Sequence, residues 1–575
     1  MIQRIYQIAL LVLLLISLPY ATFAQDTVFN RVVTVERDYQ PEVQDAQAIS
    51  TNPTFVEYTP KLNPVIYSTY SEPLSIGYNL HTLPAEETYF RITPPLNGVV
   101  DAAVGHRNSH LLFGYRIQDG EKTSLDLYAD HNAYWGRDAL TQSLVGMQFI
   151  HHFRSAELYI GAEGKHEAYT YYGQLYDGHK GLIEGNSPWQ NCWDASAKIG
   201  IRSTDRSSIQ YKLQTGYNAF IITNHTVEHQ IQSHFNIAWQ NDLHSAGVRT
   251  YVQNNFYSTL DQHSIVPTHR HAIRIEPFYE YTEKNLHLHA GINLDMNIGT
   301  GELLSSAKTK DLSFAPSPNL LFEYHLLKNM LHLYVDAQGS FGNGSLEEYH
   351  NYNRYLNVKQ GLTWNTPRAY TPVDAKVGFK LRPIKTLLLD IYGGYAYLKN
   401  ACIMEAVLQN HTSQIIDYNL WTTDYQRWKV GGELHYHYRD ILDVKLGGNY
   451  YFYPQKPIPS MDPSDASFLE NQIKGTTVFD QPNWDLYARI EANIDSHWSI
   501  YSENRFEGSR WAYLSTIAKV QLRPVIDLNI GAQYSFNNRL SLYIQLNDYI
   551  NRKNDLFYGY QSQGIHFLIG AKYKF

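Results

Sequence analysis

Ile565-His566-Phe567-Leu568-Ile569-Gly570-Ala571-Lys572-Tyr573-Lys574-Phe575 closes the chain. Its odd positions form an apolar row, while its even positions include His566, Lys572 and Lys574. Alternation with period two over about ten residues is the pattern of a membrane-crossing β-strand, with one face to lipid and the other to a polar lumen.

The segment before it follows the same rule. Leu540, Leu542, Ile544 and Leu546 share one face, and Ser541, Tyr543, Gln545 and Asn547 the other. Far upstream, Leu125, Leu127 and Ala129 alternate with Ser124, Asp126, Tyr128 and Asp130. Short polar turns recur at Asp119–Lys122, Arg154–Glu157, Thr204–Ser208, Asn241–Ser245, Glu283–Leu286, Lys328–Met330, Pro383–Thr386, Arg439–Ile441, Asp495–His497 and Asn537–Arg539. Longer connections at Tyr172–Asn191, Asn343–Thr371, Asn400–Asp424 and Pro454–Pro482 are richer in Gly, Asn and aromatics. Short turns on one side and long loops on the other are the periplasmic and extracellular ends of an outer-membrane barrel. Each short turn joins two strands. With a first strand near Gly98–His106 and a last ending at Phe575, the pattern predicts an all-β, transmembrane antiparallel β-barrel of about 22 strands (range 18–22).

The amino terminus assigns the compartment. Met1–Tyr6 carries one Arg and no acid, Ile8–Ala21 is almost wholly apolar, and Thr22 and Ala24 are small residues before a cut at Gln25. That is the layout of a secretory signal peptide, so residues 1–24 are expected to be removed. No later apolar run reaches the length of a membrane helix. Tyr contributes 47 residues and aromatics 14% of the chain, against 18% charged. Tyrosine suits strands and the headgroup zone, where its ring is dry and its hydroxyl wet. A net charge of −8 with mixed signs provides no basic stripe for nucleic acid, and two cysteines, Cys192 and Cys402, are too few for a disulfide framework. The expected neighbours are outer-membrane lipid and, during insertion, the barrel assembly machinery.

Residues 25–97 have Pro at 41, 53, 60, 64, 73, 84, 94 and 95 and little periodicity, so they read as a periplasmic or lumenal lead to a barrel over 98–575. Tyr573 with the final Phe575 resembles the C-terminal strand signal of bacterial outer-membrane barrels, which implies a role for both in membrane insertion. Val525-Ile526-Asp527-Leu528-Asn529-Ile530-Gly531-Ala532-Gln533-Tyr534, Asn538-Arg539-Leu540-Ser541, Gln545-Leu546-Asn547 and Tyr558-Gly559-Tyr560 resemble the closing strands of TonB-dependent-receptor-like barrels of Bacteroidota. Val35-Glu36-Arg37-Asp38-Tyr39-Gln40-Pro41 and Tyr171-Tyr172-Gly173 look like the same group. The resemblance implies a large barrel, a TonB system or a surface lipoprotein as partner, and traffic of solute. The lead over 25–97 is shorter than the folded plug of the transporters, and Gln25–Pro60 shows no TonB-contact motif. The expectation is a relative without a full plug.

Chemistry is sparse. Among 25 histidines, His287/His289 and His435/His437 each place two imidazoles on one strand face, expected to be lumenal. They are the candidate metal ligands, although a usual site needs three or four donors. His269/His271 and His151-His152 are further pairs. No Gly-x-Ser-x-Gly elbow or His-Glu-x-x-His helix stands in the chain, so no catalytic residue and no cofactor is expected. Asp462 and Asp465 lack the liganding rhythm of a calcium loop. Trp189, Trp193, Tyr349, Tyr352 and Tyr355, beside His350, are loop aromatics that either contact a ligand or pack loop on loop over the mouth. Two functions follow. One is a channel or transport-related barrel passing or binding solute at the cell surface. The other is a scaffold with a blocked lumen whose loops dock partner proteins.

Overall fold

A computed structural model describes residues 97–575, apart from 171–188, 260–268, 303–307, 357–367, 409–415, 455–477 and 515–518 and short stretches at 121, 137, 205–207, 223–225, 328–329 and 343. The leader 1–24, nearly all of the lead segment 25–97 and the Asp462/Asp465 loop lie outside the described residues.

Alternation becomes strand along the whole chain: β1 (Gly98–Gly105), β2 (Asn108–Asp119), β3 (Thr123–Tyr134), β4 (Leu140–His152), β5 (Ala156–Thr170), β6 (Trp189–Ser203), β7 (Ile209–Ile222) and β8 (Thr226–Gln240). There follow β9 (His244–Thr259), β10 (His269–Glu283), β11 (Leu286–Glu302), β12 (Lys308–Leu327), β13 (Leu331–Phe341), β14 (Tyr370–Ile384), β15 (Leu387–Leu408) and β16 (Ile416–Tyr438). The wall is completed by β17 (Leu442–Phe452), β18 (Trp484–Asn493), β19 (Trp498–Glu507), β22 (Val525–Ser535), β23 (Leu540–Asn547) and β26 (His566–Lys574). Each of these strands pairs antiparallel with the next, and β26 returns to β1 from Val99↔Lys574 to Gly105↔Leu568. The result is a closed barrel of 22 strands. Gly98 and Phe575 exchange backbone hydrogen bonds at 2.8 and 2.9 Å, which seals the seam to its end.

All ten short turns read from the sequence connect strands at the end where the described chain begins and finishes. Among the described residues, the connections at the other end hold one helix, α1 (Leu346–Tyr352), and two small hairpins, β20 (Arg510–Leu514) with β21 (Val520–Leu522) and β24 (Asp555–Phe557) with β25 (Tyr560–Gln561). One expected loop is different: Asn400–Leu408 and Ile416–Asp424 are strand, because β15 and β16 run on past the barrel wall.

The faces sort as alternation requires. In β26, Ile569 is 54% exposed and His566 only 2%. Outward Val145, Ile199, Ile231, Ile292, Val377, Ile391 and Leu486 form an apolar band. Phe153, Trp239, Tyr438, Trp498 and Phe536 rim it at the turn end, and Trp193, Tyr217, Trp428, Tyr450 and Phe452 at the loop end. Apolar band plus two aromatic girdles is the surface of a barrel that sits in lipid, and the chain is an outer-membrane protein. Trp189 and Trp193, expected in a loop, begin β6 and face outward.

Inside, tyrosine has a third use beyond strand and headgroup preference. Tyr128 of β3 lies over Gly146 of β4 and donates to Glu163 of β5 at 2.9 Å. Tyr392 crosses Gly431 to Asn449 at 2.7 Å, and Tyr487 crosses Gly447 to Glu433 at 2.6 Å. Tyr543 of β23 crosses Gly570 of β26 to Asp101 of β1 at 2.7 Å, so one ring clasps both sides of the seam. A Cβ at any of these glycines would come within 2.8 Å of ring atoms. Gly570→Val should therefore cost about 1–3 kcal/mol by overpacking, and Tyr543→Phe about 1 kcal/mol through the lost hydrogen bond. The temperature at which the barrel loses its compact gel mobility in detergent reads both. A Gly570→Val barrel as heat-stable as wild type would contradict the clasp.

Candidate functional site: a lid folded into the outer mouth

Ser345-Leu346-Glu347-Glu348 is a capping box, the signal for a helix start. Ser345 Oγ accepts from Glu348 N at 3.0 Å, and Glu348 Oε2 reaches back to Gly344 N at 2.6 Å. The helix α1 that follows has Leu346, Tyr349, His350 and Tyr352 buried. Its partners are inward-facing side chains of the wall. Glu228 of β8 accepts from Leu346 N at 2.6 Å, Asn218 of β7 donates to Glu347 at 2.8 Å, and Arg270 of β10 donates to Gly344 O at 3.0 Å. His350 Nε2 lies 3.3 Å from Glu167 of β5, and its Nδ1 lies 4.0 Å from Cys192 Sγ of β6. Arg354 pairs with the same Glu167 oxygen at 3.3 Å, while Tyr169 holds Arg354 O at 2.7 Å.

The opposite side of the mouth supplies the second half of the lid. The β14–β15 ladder has its last pair at Tyr370↔Lys399, and a bulge between Leu398 and Ala401 then bends β15, with Asn400 at φ 51° and its N–H on Asp424 at 2.7 Å. Beyond the bulge Ala401 and Ile403 are 0% exposed and Met404, Ala406, Tyr418 and Leu420 are buried. Burial on both faces removes the period-two signal, which is why this tip reads as a loop in the sequence. Its open edges are taken up: β20 pairs parallel with β15 at Glu405↔Tyr513 and Ala406↔Leu514, and Leu356 bridges Tyr418 of β16. Tyr355 stacks on Tyr560 at 3.6 Å, Tyr418 donates to Tyr558 O at 2.6 Å, and Arg510 donates to the carbonyls of Asp555 and Leu556. One buried cluster thus runs from Tyr169, Cys192 and Phe220 through α1 to Met404, Tyr418, Ala512 and Tyr560. Of the two uses weighed for Tyr349, Tyr352 and Tyr355, the structure shows loop-on-loop packing.

The lid carries ionisable groups. Burial pushes Glu347 up to about 7, with Asp194 adding to it. Burial likewise pushes Asp480, which accepts from Met404 N, up to about 6. Burial works against charge on His350, yet Cys192 and Glu167 on either side of the ring push it up to about 9.

The histidine pairs lie elsewhere in the lumen. His289 is held between Glu280 at 2.9 Å and Glu276 at 3.2 Å, with Arg249 and Asn319 on the same carboxylates. His287 meets Thr282 at 2.9 Å. His435 and His437 share Asp443 Oδ2 at 2.9 and 3.1 Å. Among the described residues no three His, Cys, Asp or Glu are arranged to hold a metal ion. His269 and His271 are on the outward face of β10, in line with exposed Ile275 and Tyr279. Tyr573 and Phe575 also face outward. The wall residues that hold the lid, Glu167, Glu228 and Arg270, carry no motif; only the capping box announces their partner.

No family model matches the chain, and no curated protein matches it in sequence. Solved structures do match. The copper transporter OprC superposes with a TM-score of 0.62 at 10% identity, over 83% of this chain and 82% of that one. The FrpB iron transporter from Neisseria meningitidis gives 0.62 at 9% identity over 84% and 81%. The siderophore receptor PiuA from Acinetobacter baumannii gives 0.60 at 8% identity over 83% and 82%. These neighbours are TonB-dependent receptors with barrels of 22 strands, and at such identities the likeness is one of fold.

Glu347, Asp480 and His350 all have folded values above their unfolded ones. The stability they contribute is present at low pH and is lost as pH rises through about 6 for Asp480, 7 for Glu347 and 9 for His350. Maleimide labelling of Cys192 in a Cys402→Ser background, normalised to the urea-unfolded protein at each pH, should be slow at acidic pH and accelerate toward alkaline pH. Leu346→Asp, which buries a charge in the cluster, should raise the rate about tenfold at any pH. A rate indifferent to both would contradict the packing.

Proposed function

We propose that the chain is a transport-related outer-membrane barrel that binds solute at the cell surface, and that its own lid, rather than a full plug, closes the outer mouth at rest. The observation that carries this reading is the buried cluster joining α1 to the β15–β16 tip and to both walls of the mouth. Below it the lumen is lined by ion pairs, among them Arg116–Asp126 at 2.5 Å, Arg274–Asp295 at 2.7 Å and Arg489–Glu503 at 3.1 Å. Such a polar path suits solute and not lipid. The fold shared with copper, iron and siderophore receptors supports traffic of solute without selecting one. On this reading Tyr573 and Phe575 form the strand signal read by the barrel assembly machinery. A TonB system or a surface lipoprotein is the partner that moves the lid.

A second reading draws on the depth of the same burial: a lid packed like a domain core is a permanent closure, and the barrel is then a scaffold. Planar-bilayer conductance separates the two. The full chain should be silent, and a chain with residues 344–356 replaced by a short Gly/Ser linker should conduct steadily. Silence from the replaced chain, with folding confirmed by gel mobility, would move the assignment to the scaffold. Steady conductance from the full chain would show that the lid is no closure.

A further inference from the structure

The loop-end girdle is not uniform around the barrel. On β16, β17 and β19 it is built from Trp428, Tyr450, Phe452 and Phe506. On the first ten strands imidazoles stand in it. His106 follows β1 and stacks on outward Phe567 at 5.9 Å. His131 of β3 is in line with outward Leu127 and Ala129 and pairs across to Ser143, itself in line with exposed Val145. His166 of β5 lies tilted against exposed Trp193, with ring centroids 4.1 Å apart. His229 of β8 is in register with exposed Phe256, whose ring meets His269 edge-on at 5.7 Å and His271 at 5.5 Å. At about 3.3 Å per residue along strands tilted by about 40°, they stand roughly 20–35 Å above the turn end, at the outer edge of the apolar band. Histidines on β11 to β26 face the lumen or lie in turns, among the described residues. The outward positions of β3 to β10 carry one carboxylate, Glu283, at the turn end.

These rings are held by one edge. His131 Nδ1 meets Ser143 Oγ at 2.8 Å and His229 Nδ1 meets Tyr217 Oη at 2.7 Å. A neutral imidazole that accepts a hydroxyl proton at Nδ1 carries its own hydrogen on Nε2, where it donates. His166 and His271 instead meet amide oxygens, of Asn191 at 3.2 Å and Asn254 at 2.9 Å. Either amide turned so that its Nδ2 donates to the ring leaves the second nitrogen of the neutral imidazole as a donor.

We infer that the outward imidazoles His131, His166, His229 and His271 form a binding face for the phosphate of anionic lipid headgroups on one side of the barrel. Donors at headgroup depth, on an outward face whose neighbouring carboxylates Asp130, Glu167 and Glu228 point inward, complement a phosphate oxygen, and the indole and phenol rings next to them seat the glycerol and acyl region. The rings point away from the lid, although His166, His229 and His271 each adjoin one of its anchors, Glu167, Glu228 and Arg270.

The test uses the full barrel in nanodiscs of phosphatidylcholine containing a minority of phosphatidylglycerol. Both lipids are phosphodiesters, and only the second carries net negative charge. Native mass spectrometry after extraction counts the lipids that stay bound. Wild type should retain phosphatidylglycerol several-fold over its share of the bilayer. His131→Phe/His166→Phe/His229→Phe/His271→Phe, which copies the aromatic girdle of the other side, should retain it only in proportion. Excess inorganic phosphate should leave wild-type retention unchanged; loss of lipid to it would mean a site for free phosphate and overturn the lipid assignment. Equal enrichment in the quadruple variant, or no enrichment in wild type, would overturn the proposal, the second outcome pointing to a protein neighbour on this face. If the quadruple variant does not insert, the His131/His166 and His229/His271 double variants are read in the same way.

Discussion

Backbone pairing at the seam is the interaction on which the rest depends. In hydrocarbon an unpaired N–H or C=O costs several kcal/mol, so a sheet with two free edges has no place there. The chain meets this by bringing its last strand to its first. Val99 to Gly105 pair with Lys574 to Leu568, and the two terminal residues of the barrel exchange hydrogen bonds beyond them. Because the seam pair is antiparallel like every other pair in the wall, the strand number is even and both ends of the wall lie on the side of the short turns. Closure also curves the sheet, and the tyrosine rings that lie across glycines exploit that curvature by spanning three strands at a time. The Tyr543–Gly570–Asp101 clasp places one of these at the seam itself.

The same rule governs the lid. Once β15 leaves β14 after Lys399, and β16 has yet to meet β17 at Trp428, both strands have free edges above the wall. β20 and Leu356 occupy those edges, and α1 and the β24–β25 hairpin cover the apolar faces. The lid is therefore a small core of its own, built from five connections and the inner wall, and its parts are stable only together. Ionisable groups are buried in it with partial compensation, so its stability is tied to pH in a way the barrel's apolar band is not.

Much of the barrel was legible in the sequence, because a strand with one face in lipid and one in a polar lumen must alternate. Ile565–Phe575, Leu540–Asn547 and the ten turns show it directly. What alternation does not report was misread or missed. Ala401–Met404 is apolar at successive positions and buried on both faces, so it looked like a loop. Trp189 and Trp193 looked like loop residues, although an indole at the membrane interface is equally at home on a strand. The lid anchors Glu167, Glu228 and Arg270 are 183, 118 and 74 residues from their lid partners, and only the fold brings them together. The Ser345–Glu348 capping box was the one local sign. His287/His289 and His435/His437 are on inward strand faces, where His289 and the His435/His437 pair are held by carboxylates.

The central claim is that α1 is packed inside the outer mouth. Amide hydrogen exchange on the membrane-embedded protein tests it most directly. The account predicts that the amides of Leu346, Glu348, Tyr349 and Asn353, bonded to Glu228, Ser345 Oγ, Ser345 O and Tyr349 O, exchange as slowly as neighbouring wall strands. Exchange at the rate of an unstructured loop, with the barrel strands still protected, would contradict it.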